Sequence, residues 1–104
     1  MSDHDATKVF KLSKPIGPTD AKISAITIRE PMAQDIEMAE KLSVAENKGV
    51  LNSNTMAIQL IAILGSQTVV NVRNLGAKDY MKIRGHINTF LEDSPATAEN
   101  SAPT

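Results

Sequence analysis

The chain has 104 residues, 41% of them hydrophobic and 22% charged, with a formal net charge of −1 and no cysteine. That length suits one small domain, and the mixture is too apolar for a wholly disordered chain and too charged for a membrane protein. Without cysteine there are no disulfides, thiol catalysis or zinc–thiolate sites, and near-neutral charge argues against a general polyanion binder.

Residues 1–6 are polar and read as a mobile N-terminal tail, without the basic-then-apolar layout of a signal peptide. A single α+β domain is expected over 7–91. Residues 7–14 and 21–28 have apolar or β-branched residues at period two, Phe10 with Leu12 and Ile26 with Ile28, which predicts two strands. Between them Pro15-Ile16-Gly17-Pro18-Thr19-Asp20 is turn chemistry, too short for a crossover helix, so 7–28 forms an antiparallel hairpin. A hairpin alone is unstable in water, so a helix must cover its apolar face.

A first helix is expected at about 31–42, with Pro31 in its first turn. Met32, Ile36 and Ala39 fall on one side, and Glu37, Glu40 and Lys41 on the other. Asp35 and Glu37 oppose the positive helix end, and Arg29 is placed to pair with Glu30 or Asp35. Residues 43–53 read as a polar connector. A second helix follows at about 54–65, capped by Ser53 or Asn54. Its run from Met56 to Leu64 is apolar at every position but Gln59, and is about half the ~20 residues that cross a bilayer.

At helical spacing Met56, Ile58, Leu60, Ile61, Ile63 and Leu64 point all the way round. A domain this small is expected to leave part of such a helix to another subunit or protein. These six residues are therefore the candidate client or self-association surface, with core and interface left open position by position. The third helix, about 77–91, places Tyr80, Ile83, Ile87, Phe90 and Leu91 within an arc of about 100°, with Lys78, Lys82 and Thr89 opposite. Residues 92–104 contain no large apolar side chain and read as a disordered tail. The expected fold is α+β: an N-terminal antiparallel hairpin, then three helices.

Chemistry is sparse. His4 lies in the tail, and His86 flanks a solvated helix face, so it reads as a surface residue. Glu37 and Glu40 have no third ligand beside them, and the glycines at 17, 49, 65, 76 and 85 have no phosphate-cradling spacing. No catalytic, cofactor-binding or metal residue is expected, and the chain does not read as an enzyme.

The segment Gln59–Arg73 has the outline of a helix-turn-helix, with Gly65 ending one helix and Ser66 to Thr68 opening another. Its packing positions after the glycine are polar, at Ser66, Asn71 and Asn74. Nucleic acid is therefore a weak candidate partner, and a small DNA-binding regulator is the alternative function.

Taken in order, Leu12-Ser13-Lys14-Pro15-Ile16 and then Thr27-Ile28-Arg29-Glu30-Pro31, with Asp35 just beyond, carry a resemblance. The chain resembles the small tail assembly chaperones of Mu-like and related contractile-tailed phages, over roughly residues 8–92. The last helix joins in, with Asp79-Tyr80 near its start and Phe90-Leu91 near its end. The resemblance implies a chaperone that binds the hydrophobic tape measure protein and keeps it soluble and extended during tail tube assembly. It also implies action in the host cytoplasm, absence from the mature virion, and sometimes a longer frameshifted form as a further partner. A homo-oligomer that avoids the membrane is the matching expectation; a structural component retained in the virion is the competing one.

Overall fold

The computed structural model describes residues 7–92. The expected tail at 1–6 lies outside the described residues, as does that at 92–104 except for Glu92, the last residue of the final helix. The element order is β1 (Lys8–Ile16), β2 (Ile23–Ile28), α1 (Ala33–Glu46), α2 (Ser53–Gly65), α3 (Val69–Arg73) and α4 (Ala77–Glu92). The α+β hairpin-then-helices architecture is as the sequence implies, with one short helix added.

β1 and β2 pair antiparallel, Lys8 opposite Ile28 and Phe10 opposite Ile26, with an irregularity between Lys11 and Ile16. β1 runs past Pro15 to Ile16, so the reversal falls later than Pro15–Asp20. Gly17 takes a positive φ of 99° there, which a residue with a Cβ adopts only with strain. The hairpin turns Leu12, Ile16, Ile26 and Ile28 inward, and these join Leu60, Ile61, Leu64, Val72, Ile83 and Ile87 in one core.

α1 begins later than expected. Pro31 stands before the helix, Met32 is the N-cap residue, and the helix continues through Ser43 to Glu46. Its inward line is Asp35, Ala39 and Ser43, spaced four apart, not Met32, Ile36 and Ala39. Met32 is 55% exposed because the cap lies outside the helix, and Ile36 is only half-buried. Small side chains on the inward line let α1 lie close against α2. The Ser43 hydroxyl donates to the Asn52 carbonyl at 3.3 Å, tying the end of α1 to the start of α2.

Asn52, one residue earlier than expected, caps α2 by accepting from the Thr55 amide at 3.0 Å. At the other end the left-handed residue is Ser66, at φ 53°, while Gly65 is still helical. The glycine therefore serves packing and not the turn. A Cβ built on it would lie 2.8 Å from Ile26 Cγ2 and 3.2 Å from Ile28 Cδ1, both on side chains that have no room to move.

The unexpected α3 has Thr68 as its N-cap, which accepts from the Asn71 amide at 3.1 Å, and it buries Val72. Its five residues are too few for the apolar period that reveals a helix in sequence. The α4 stripe is as expected at Ile83 and Ile87. Tyr80 and Phe90 are half-buried, and Leu91 is 42% exposed near the helix end.

Two glycine substitutions test the packing. Gly65→Ala is expected to lower stability by about 1–3 kcal/mol through overpacking against β2. A Cβ on Gly85 meets nothing within 4 Å, so Gly85→Ala is expected to raise stability by about 0.5–1 kcal/mol through helix propensity alone. Urea unfolding of both variants measures the opposite signs.

Candidate functional site

The candidate surface lies on α2, the helix around which the other elements gather. Leu60, Ile61 and Leu64 are buried, while Met56, Ile58 and Ile63 are half-buried at the margin of the core. The chain itself thus covers more of this helix than its all-round apolar pattern suggests. α1 lies against one side, β2 and α4 against others, and α3 closes the C-terminal end.

What stays open is a groove of about 170 Å³ between α2 and α4, with Met56, Ala57, Leu60 and Ile61 on one wall and Ile87 and Leu91 on the other. Arg84 and Asn88 are the polar residues on its α4 side. Ile58 faces a separate depression, with Val72, Leu75 and Tyr80. The six sequence-selected residues therefore divide: Met56, Leu60 and Ile61 line the groove, Ile58 lines its neighbour, and Ile63 and Leu64 line neither.

Polar contacts hold the walls. The Tyr80 hydroxyl donates to Asn54 Oδ1 at 3.3 Å, and Arg84 Nη1 donates to Asn54 Oδ1 at 2.5 Å and to the Tyr80 oxygen at 3.1 Å. On the far side of α2, buried Gln59 donates to Glu46 Oε1 at 3.2 Å, and Glu46 also forms an ion pair with Arg73. One carboxylate therefore joins α1, α2 and α3. The Arg73 bond, with the Gln59 bond behind it, lowers the Glu46 pKa.

Two aspartates set the frame. Asp35 receives a bidentate pair from Arg29, at 2.7 and 2.9 Å, and accepts from the Met32 amide at 2.8 Å. Of the two partners weighed for Arg29, Asp35 is the one that its guanidinium grips. The Arg29 bonds outweigh burial and hold the Asp35 carboxyl below its usual value.

Asp79, in the first turn of α4, is buried and reaches across to β1. It accepts from the Ser13 amide at 3.0 Å, from the Ser13 hydroxyl at 3.1 Å and from the Lys14 amide at 3.3 Å. Burial pushes its pKa up, but the amides, the hydroxyl and the Lys82 charge together bring it below the usual 3.8. Sequence reasoning missed this role, although a signal existed. Asp79, Ile83 and Ile87 are spaced four apart, so an acid occupies the core line of the helix.

His86 departs from expectation. It is half-buried, its ring edge-on to Phe10 at 5.3 Å and to Phe90 at 5.2 Å, and its buried Nε2 has no hydrogen-bond partner. Burial first, and then the Lys8 charge, lower its pKa. The helical wheel placed it at the edge of the solvated face; β1 laid across α4 covers it.

Among the described residues no group of three His, Asp or Glu side chains could hold a metal ion, and no helix is long and apolar enough to cross a membrane. The helix-turn-helix outline also loses its parts. α3 is only five residues long, its Val72 is buried, and its Arg73 is taken by Glu46.

The family model described as "Phage tail assembly chaperone proteins, E, or 41 or 14" matches residues 9–92. The chain belongs to that family. No curated protein and no solved structure gives a significant match. In this tail assembly chaperone the segments that carried the resemblance are the two aspartate clamps. Leu12–Ile16 holds the amides that Asp79 grips, and Thr27–Pro31 supplies the arginine that grips Asp35.

The clamps give a pH dependence with a definite sign. Asp35 and Asp79 have pKa values lowered by folding, so their stabilisation is present above the usual 3.8 and is lost as pH falls below it. His86, lowered from 6.5, adds a loss that begins as pH falls through that value, because the unfolded chain takes up the proton more readily. Urea midpoints across pH are expected to fall in two steps on acidification. His86→Phe should flatten the upper step, and Asp79→Asn should reduce the lower one while costing about 1.5–3 kcal/mol at neutral pH.

Proposed function

We propose that this tail assembly chaperone binds the tape measure protein and keeps that hydrophobic client soluble and extended until the tail tube assembles around it. The α2–α4 groove is the client surface in this reading. The observation that supports it is an open, mostly apolar groove on the most hydrophobic helix of a chain that belongs to a tail assembly chaperone family. Met56, Ala57 and Leu91 offer apolar contact, Leu60 and Ile61 form the floor, and Arg84 and Asn88 supply polar contacts.

Each large apolar client side chain buried there contributes about 1.5–3 kcal/mol, so three or four along the client offset the entropic cost of association. The role is non-enzymatic and is carried out in the host cytoplasm, and the chaperone leaves before the particle is finished. Before the client arrives, a second copy covers the same groove at Met56, Ala57 and Leu91, giving a homo-oligomer. A longer frameshifted form would share the same domain and enter the same assemblies.

Co-expression with the tape measure protein of the same genome, followed by size exclusion and light scattering, tests this. A soluble complex is expected where the client alone precipitates. Met56→Asp with Leu91→Asp, at half-buried and exposed positions, should abolish the complex and leave the helical circular dichroism unchanged. Ile61→Asp is unsuitable because Ile61 is fully buried and its loss removes the fold. A client that precipitates equally with and without the small protein would sink the reading. Detection of the protein in purified particles would replace it with a structural role in the tail.

A further inference from the structure

A second surface, on another side of α4 from the α2–α4 groove, has the opposite character. A channel of about 590 Å³ runs between β1 and α4, with Lys8 and Lys11 on the strand and Lys82 on the helix, over Val9, Phe10 and the bare Gly85. All three lysines are exposed, and none forms an ion pair among the described residues. Lys8 lies over the Phe10 ring, 5.6 Å from its centre, and Lys82 stands in the field of Asp79, whose oxygens are taken by Ser13 and Lys14. Among the described residues β1 has β2 as its only strand neighbour; Asp79 takes the Ser13 and Lys14 amides of β1, and the stretch from Lys8 to Lys11 that lines the channel lies before them.

We propose that this channel is a docking site for an acidic, extended polypeptide segment of a partner protein, which adds to β1 along the stretch from Lys8 to Lys11 and sets carboxylates against Lys8, Lys11 and Lys82. The inference goes beyond the client groove and does not rest on it. Charge decides the occupant. Lysines on a strand edge repel a second copy of β1, which carries the same lysines, and they repel basic segments. An extended strand with carboxylates on both of its faces meets Lys8 and Lys11, which lie on opposite faces of β1, and the edge without a strand neighbour together, as in strand addition. The channel contains no arginine to fork onto phosphate, and its lining includes the apolar Val9 and Phe10. With a net charge of −1 the chain as a whole does not draw in a long polyanion.

The test uses the full chain and a fluorescein-labelled peptide of repeating Glu-Glu-Val-Val, which sets carboxylates on both faces of an added strand, followed by fluorescence anisotropy. A Lys–Val peptide and an oligothymidylate of similar length are the comparisons. The Glu–Val peptide is expected to bind, more weakly as salt rises from about 50 to about 300 mM. Replacing Lys8, Lys11 and Lys82 together by Glu is expected to weaken it at least about tenfold, with circular dichroism unchanged. The same charge change at Lys22, Lys41 and Lys48 should leave binding intact, as should Met56→Asp with Leu91→Asp, which separates this site from the client groove.

Absence of peptide binding, or equal loss in both lysine triples, would overturn the proposal. Tighter binding of the oligothymidylate would make the channel a nucleic-acid site instead. Loss of an oligomer in sedimentation, without loss of peptide binding, would assign the lysines to contact between copies.

Discussion

The second helix has no polar side, and that constraint organises the molecule. From Met56 to Leu64 only Gln59 is polar, and even Gln59 is buried, its amide satisfied by Glu46. Such a helix can exist in water only if other elements surround it. α1 presents Asp35, Ala39 and Ser43, thin enough for close approach, while β2 comes so near that position 65 has no room for a Cβ. α4 brings Ile83 and Ile87 from another side. The groove at Met56, Ala57 and Leu91 is where this covering stops.

Close covering by short elements requires that they be held in register, and three carboxylates do that, Asp35 and Asp79 buried and Glu46 at the surface. Asp79 anchors α4 to the backbone of β1, and Asp35 anchors the start of α1 to the end of β2 through Arg29. Glu46 joins the end of α1 to α2 and α3. Each carboxylate takes several donors, so desolvation is offset and each pKa moves down instead of up. The two aspartate clamps grip the two segments that carried the resemblance, Leu12–Ile16 and Thr27–Pro31. Those segments therefore report on how the hairpin is fastened to the helices and say nothing direct about the client.

The surface that remains is divided. The apolar groove lies between α2 and α4, and the lysine channel lies between α4 and β1, so α4 borders both. Gly85 and Thr89 line the channel, while Ile87 and Leu91 line the groove. Apolar and charged surface are thereby separated on one small domain: apolar side chains line one side of α4 and lysines the other.

The sequence by itself determined the hairpin, the three longer helices and the family. Period-two and helical apolar spacing survive any tertiary arrangement, and the motif at Thr27–Pro31 is read without geometry. It also marked α2 as the element that must be covered. Only the tertiary structure decided which of the six apolar residues are core, because that depends on which neighbours reach each side. It also decided that Gly65 is a packing glycine, that Asp79 spans 66 residues to reach Ser13, and that β1 encloses His86. These are contacts between residues distant in the chain, and no local periodicity encodes a partner. α3 escaped for a different reason: five residues are too few to show a period, and its helix is set by the Thr68 cap and by Val72 finding the core.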